Sequence, residues 1–349
     1  MSTVGEAATT TAGTANGAIT GTTTGTRRLG GRWLGVLALL VIALVLPFLL
    51  SGYRIFQLTQ ITVYAVAILG LNLLTGFSGQ ISLGNGAFSA VGAYASSILM
   101  IKLGLPYWAT PPLAGALCFV AGYLFGHPAA RLEGLYLALA TFALSIVMPQ
   151  VLKLDTLEPW TGGTQGVYVT KPVSLLPELI SDDQWLYFFC LAVAIVMFVV
   201  AWNIVRGRTG RALVALRDHP IGAGAMGIDT VSYKSVAFGV SAMYTGIAGS
   251  LGALVAGFIS PDSFTYLLSI QFLVGGVVGG IASIFGTLVG AVFIELVPDL
   301  ANKISESAPW AIYGVLLIVC MMMMPWGAAG LVHSARAWLA RRSTRRTRS

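Results

Sequence analysis

Long apolar runs separated by short polar breaks organise this chain. Ten such runs lie near 33–50, 58–75, 81–101, 108–127, 134–152, 185–205, 235–258, 265–282, 284–298 and 310–326. A run of about 18 or more apolar residues is long enough to cross a bilayer core as a helix. The pattern therefore predicts an all-α polytopic membrane protein with about ten transmembrane helices, eight being the lower count. The break between 265 and 298 is the least distinct: Gly275, Gly276, Gly279 and Gly280 blur it, and 284–298 is short for a perpendicular crossing. Trp33–Leu50 follows Arg27, Arg28 and Arg32 as a signal peptide would. It is longer than a typical signal core, and Pro47-Phe48-Leu49-Leu50 is no small-residue cleavage site, so it reads as a retained first span.

Composition narrows the class. Of 349 residues 56% are apolar and 9% charged, with a mean hydropathy of +0.83. An ordinary soluble domain carries about 25% charged residues, and a disordered chain is poor in apolar ones. One transmembrane domain, 27–332, takes nearly all the length. Residues 1–26 are Thr/Ala/Gly-rich with the single charge Glu6 and read as a flexible cytoplasmic tail. An organelle transit peptide shares that hydroxyl-rich, acid-poor character, but no Arg precedes Arg27. Cys118, Cys190 and Cys320 lie inside apolar runs and read as buried thiols. The 42 glycines include Gly246-x-x-Gly249-x-x-Gly252 and Gly286-x-x-x-Gly290, spacings that let helix backbones approach closely.

Charge distribution sets the orientation. With the N-terminus inside, fifteen of the twenty Lys and Arg fall on the inner side and five (Arg54, Lys102, Lys153, Lys171, Lys303) outside. That is the bias of the positive-inside rule. Both termini are then cytoplasmic, with a periplasmic loop at 153–184 and a cytoplasmic loop at 206–233. The basic tail 333–349 carries Arg336, Arg341, Arg342, Arg345, Arg346 and Arg348, placed to rest on anionic lipid headgroups. It lacks the interleaved aromatics of single-strand binders, so no nucleic-acid partner is expected.

Enzyme motifs are missing from the sequence. There is no G-x-x-x-x-G-K-[ST] phosphate loop, G-x-S-x-G elbow or H-E-x-x-H pair. His127, His219 and His333 are far apart, so no metal site, cofactor or catalytic residue is expected. Charges inside the runs are scarce: Arg131 and Glu133 flank one inner end, and Glu295 is placed near the outer end of the ninth run. Ion-coupled carriers keep ionisable groups at membrane depth, so an energy source outside the chain is the more economical expectation.

Two segments hold the remaining information. Leu71–Tyr94 sets Asn72, Thr75, Ser78, Gln80, Ser82 and Asn85 among five glycines. Irregular polar backbone at membrane depth survives only inside protein or beside a cavity; a water-exposed inner turn fits the same residues equally well. The uncharged polar groups Asn72, Gln80, Ser82, Asn85 and Thr141 are the candidates for the translocation path of a small-molecule solute. Arg206–Asp229 reads as two short helices, Gly210–Arg217 with Leu213 and Leu216 on one face, then Pro220–Met226 ended by Gly227. Such a basic, small-residue loop can dock in a groove of a soluble partner or lie on the membrane surface.

Both segments resemble a known family. The pattern L-N-L-x-x-G-x-S-G-Q-I-S-L-G-x-x-x-F-x-x-x-G-A-Y is similar to that of the permeases of branched-chain amino-acid ABC transporters, and G-R-A-L-x-A-L-R-D-x-x-I-x-A-x-x-x-G-I resembles their coupling loop. Arg131–Thr141, Thr161–Gly166, Ser260–Phe264, Lys234 and Ala237–Ala242 extend the likeness over about 33–332. The long outer loop and R-L-x-G-L-Y-x-A resemble the M-type (LivM-like) subunit more than the H-type (LivH-like). The resemblance implies a permease subunit of a binding-protein-dependent importer of branched-chain or related hydrophobic amino acids in the bacterial inner (plasma) membrane. Urea, short amides or aromatic acids are alternative solutes, and a self-sufficient secondary carrier or channel is the rival class. Implied partners are a second, LivH-like permease, two cytoplasmic ATP-binding subunits that use the ATP, and a periplasmic solute-binding protein. Arg211, Arg217, Asp218, Ala223 and Gly227 would then face an ATPase. His219-Pro220, where relatives commonly carry an acidic residue, and Ile146-Val147, where many are polar, depart from the family pattern.

Overall fold

The computed structural model describes residues 30–132, 134–174 and 180–304, with isolated positions between 314 and 327. Outside the described residues lie the expected tail 1–26, Glu133, most of the expected run 310–326 with Cys320, and the basic segment 333–349. Helix α1 (Gly30–Leu49) carries Pro47 inside it, and the chain divides there into two units, Met1–Leu46 and Pro47–Ser349.

The second unit is helical almost throughout its described residues. α2 (Gly52–Asn72) runs on into a π-helical turn at Leu73–Phe77. α3 (Asn85–Leu103), α4 (Thr110–Ala129) and α5 (Leu135–Leu152) follow, with one short turn of helix, α6 (Glu158–Thr161), in the next loop. α7 (Asp182–Arg206) leads to the short pair α8 (Arg208–Asp218) and α9 (Pro220–Ala225). α10 (Thr230–Ala256), α11 (Tyr266–Gly279) and α12 (Gly286–Ile304) complete the bundle. Among the described residues seven helical segments are long and apolar enough to cross a membrane. The chain is a polytopic α-helical membrane protein.

Helices extend past the apolar runs because hydropathy marks the desolvated middle, whereas polar end residues and caps decide where the hydrogen-bond ladder stops. α7 begins three residues before the expected 185: Ser181 Oγ accepts from the Gln184 amide at 3.4 Å while Gln184 Oε1 accepts from the Ser181 amide at 3.1 Å. Asp182 and Asp183 complement the dipole of that first turn. α10 begins five residues before the expected 235, capped by Asp229, whose Oδ1 accepts from the amides of Val231 and Ser232. α12 continues six residues beyond 298, its last turn carrying a Lys303–Asp299 ion pair at 2.9 Å. A two-stranded antiparallel pair, Val167–Tyr168 (β1) with Phe258–Ile259 (β2), joins the loop after α6 to the end of α10 and has no signature in the hydropathy.

α10 is the axis of the bundle. Its residues from Lys234 to Val255 are buried on nearly every side, against α2, α3 and α4. Small side chains permit this, since tight packing replaces hydrophobic drive between helices in lipid. At the α3–α10 crossing a Cβ on Gly92 would strike the Gly246 backbone, and one on Gly249 the backbone of Ser89. Cys118 and Cys190 are fully buried thiols. α4 and α7 turn outward instead, exposing Leu113, Leu117, Val120 and Leu124 on one and Val196 and Val199 on the other.

Candidate functional site

The α8–α9 hairpin protrudes from one end of the bundle. α8 is amphipathic, burying Gly210, Ala212, Leu213 and Leu216 while Arg208 and Arg211 stay exposed. Upstream, the Arg206 guanidinium stacks 4.0 Å from the Trp202 ring centre, and Arg211 Nη1 donates to the Arg206 carbonyl at 3.1 Å. α9 starts on Pro220, whose missing N–H is no loss at a first helical position. It ends in a Schellman motif: the Ile228 amide donates to the Ala223 carbonyl at 3.1 Å and the Gly227 amide to the Gly224 carbonyl at 3.0 Å, with Gly227 at φ +82°. Downstream, the hydroxyl and amide of Ser232 hold the Asp229 carboxyl below its usual range.

Residues of this loop separate by orientation. Arg211, Asp218 and Gly227 are exposed, whereas Ala223 is packed against its own chain. Arg217 is exposed as well, but its guanidinium reaches back to the bundle, Nη1 donating to the Gly76 carbonyl at 2.8 Å and Nε to Asp218 Oδ1 at 2.9 Å. Two residues absent from the sequence-based candidates are the most prominent, Ile221 at 92% exposure and Met226 at 85%. Their signal was two large apolar side chains in a stretch otherwise made of glycine and alanine.

The polar segment after α2 is buried in protein, which decides between the two sequence alternatives. Gly79–Gly84 is not helical, and from Ser78 onward Ser78, Gln80, Ser82 and Gly84 are buried while Gly79 and Ile81 are exposed. Side chains from other helices complete its hydrogen bonding, as a buried irregular backbone requires. Thr141 Oγ1 accepts from the Leu83 amide at 2.9 Å, Ser145 Oγ donates to the Leu83 carbonyl at 2.5 Å, and Ser269 Oγ accepts from the Gly86 amide at 2.8 Å. Thr141 and Ser145 lie about 9 and 15 Å along α5 from its first residue, at the helical rise of 1.5 Å, so the segment enters the bundle interior.

The five candidate path residues all belong to this assembly. Asn72, Gln80, Ser82, Asn85 and Thr141 are each at most 6% exposed in the single chain. Asn72 Nδ2 donates to the Ser283 carbonyl at 2.9 Å, and its Oδ1 accepts from the Ala282 amide at 2.8 Å, clamping the loop between α11 and α12. Gln80 Nε2 donates to Ser78 Oγ at 2.6 Å and to the Lys234 carbonyl at 3.3 Å. Ser82 Oγ accepts from the Gly84 amide, and Asn85 Nδ2 donates to Ser241 Oγ at 3.4 Å. The structure thus brings together groups from α2, α3, α5, α10, α11 and the α11–α12 loop that lie up to 211 positions apart in sequence.

Glu295 sits elsewhere than expected. Because α12 runs to Ile304, Glu295 occupies its middle, half-buried beside Tyr64 of α2, and not the outer end of a span. At the opposite end of the bundle, Lys153 pairs with Asp262 at 2.6 Å and ties the loop after α5 to the loop before α11.

Residues 53–324 match the family described as "Branched-chain amino acid transport system / permease component". The high-affinity branched-chain amino acid transport system permease protein LivM of Salmonella typhimurium is 32% identical over 331 residues, covering 88% of this chain and 76% of that protein. LivM of Escherichia coli K12 is 32% identical over 327 residues, covering 87% and 76%. BraD of Pseudomonas aeruginosa, also a branched-chain amino acid permease protein, is 25% identical over 295 residues, covering 78% and 93%.

Proposed function

The chain belongs to the branched-chain amino acid transport permease family, and from that premise we propose that it is one of two permease subunits of a binding-protein-dependent ABC importer. Its solutes are branched-chain or related hydrophobic amino acids, carried inward across the bacterial inner membrane. The second permease is LivH-like, two ATP-binding subunits dock on the cytoplasmic side and consume the ATP, and a periplasmic binding protein delivers the solute. Ten spans with both termini cytoplasmic agree with the charge bias along the sequence.

The observation that carries this reading is the protruding α8–α9 hairpin. Ile221 and Met226 stand out at its tip on a backbone fixed by the Schellman turn, an arrangement suited to insertion into an apolar groove of a soluble partner. Arg211 and Asp218 are exposed on the preceding helix and supply charge of both signs there. The five buried polar residues serve the solute path by holding Ser78–Gly84 in shape, so that solute selection rests mainly with the binding protein.

Reconstitution with the partner subunits in proteoliposomes tests the proposal. Leucine, isoleucine or valine uptake is expected to require both ATP and loaded binding protein, and Ile221→Asp with Met226→Asp should reduce it at least about tenfold, since burying unpaired charge in an apolar interface is costly. Uptake of urea, amides or aromatic acids in their place would change the solute. Among the described residues, Glu295 in the middle of α12 is the feature that favours a secondary carrier. ATP-independent uptake driven by an ion gradient and lost in Glu295→Gln would establish that rival.

A further inference from the structure

Arg217 makes a contact that docking does not require. The helical run from Gly52 through the π turn ends at Phe77. Carbonyls at such an end lack backbone donors and carry the negative pole of the helix. The guanidinium meets that end through its 2.8 Å bond to the Gly76 carbonyl, a charge-assisted hydrogen bond at a helix C-terminus. Gly79, at φ +75°, rests on the same side chain, so close that a Cβ there would fall 2.7 Å from Arg217 Cγ.

The carbonyl that Arg217 grips is itself wedged in the buried assembly. A Cβ on Gly76 would collide with Asn72 Oδ1 and the Ala282 backbone, so the π turn, the Asn72 amide and the α11–α12 loop are in direct contact. Beyond Gly79 the chain continues through Gln80, bonded to the first turns of α10, to Leu83, held by α5. A π turn holds one more residue than an α turn and, where it interrupts an α-helix, is frequently found at functional sites. α8 therefore has a short, polar route to the π turn and the buried segment that follows it.

We propose that Arg217 is a positioning residue, transmitting displacement of the α8–α9 hairpin to the segment Leu73–Gly84 instead of contributing to the ATPase-docking surface. The proposal rests on the importer reading above. Its probe is Ile81, an exposed residue of that segment, converted to cysteine in a chain lacking Cys118, Cys190 and Cys320 and assembled with its permease and ATPase partners in lipid. Thiol-labelling rates are compared with and without a non-hydrolysable ATP analogue.

In the parent complex the analogue is expected to change the rate at Ile81→Cys by at least about fivefold, a typical allosteric coupling. Arg217→Gln should bring that change below about twofold while the ATPases remain bound, and Arg217→Lys, which keeps the charge but has no planar fork, should retain part of it. A full nucleotide response in Arg217→Gln overturns the proposal, as does a parent rate that nucleotide leaves unchanged. Loss of the ATPases from both variants also overturns it, because Arg217 is then a docking contact. A parent chain that recruits no ATPase refutes the importer reading and the proposal together, and copurification distinguishes this before any labelling is done.

Discussion

Asn72 shows how much of the bundle depends on a single amide. Ala282 is the one non-glycine at positive φ among the described residues, at +62°, a conformation that costs an L-residue about 1–2 kcal/mol. Asn72 holds it there by satisfying the Ala282 amide and the Ser283 carbonyl. Replacing Asn72 by Ala leaves two half-buried backbone groups without these partners, so thermal unfolding in detergent should show a loss of about 1–2 kcal/mol. Ala282→Gly removes the conformational cost and should instead gain up to about 1 kcal/mol. If Ala282→Gly proves the more destabilising of the two, the clamp is not what sets this turn. Asn72 was visible in the sequence as a polar residue in an apolar run, but its partners 210 and 211 positions away were not.

At the scale of elements, the α8–α9 hairpin is the best-specified part of the chain. Leu213 and Leu216 on one face, Pro220 at the start of α9 and Gly227 past its end were each readable as local signals, and the helices lie where those signals put them. Space and backbone make different demands at Gly227: nothing lies within 4 Å of a Cβ built there, yet φ is +82°. Gly227→Asn should therefore preserve ATP-driven uptake, because Asn tolerates the left-handed conformation. Gly227→Val, whose branched Cβ does not, should abolish most of it at equal membrane abundance. Equal uptake by both variants would mean that the shape of this turn is irrelevant to coupling. The stretch after the π turn, Ser78–Gly84, is the contrasting element, since its composition permitted either a wet turn or irregular backbone inside protein or beside a cavity. The donors and acceptors that settled the matter, Thr141, Ser145 and Ser269, come from helices remote in sequence.

For the whole molecule, α7 has loop residues Lys171 and Ser174 at its first turn, paired with Asp183 and bonded to Asp182, and the α8–α9 hairpin beyond its other end. At 25 residues α7 is about 37 Å long, enough to cross a hydrocarbon core of about 30 Å. Val173→Cys and Thr209→Cys, each in a chain lacking Cys118, Cys190 and Cys320, should react with an impermeant thiol reagent from opposite sides of the membrane. Val173 should label in intact cells, and Thr209 only after permeabilisation. Labelling from one side would remove both the orientation drawn from the arginines and lysines and the assignment of the hairpin to the cytoplasm.

The sequence by itself determined the solvent this protein folds in, the existence of its helices and the two short helices of its basic loop. Each of these follows from hydropathy over some twenty residues or from the chemistry of a single turn, which act locally along the chain. Tertiary structure alone decided that α10 is the axis, that Glu295 lies in mid-helix, that Ile221 and Met226 are exposed, and that Arg217 bonds the Gly76 carbonyl. Those properties depend on which helices become neighbours. In a chain whose spans are nearly uniformly apolar, the choice of neighbours is made by the fit of small residues such as Gly92 against Gly246 and by a few long-range hydrogen bonds. The glycine spacing along α10 shows in the sequence that a helix can approach closely there, but neither feature says which helix does.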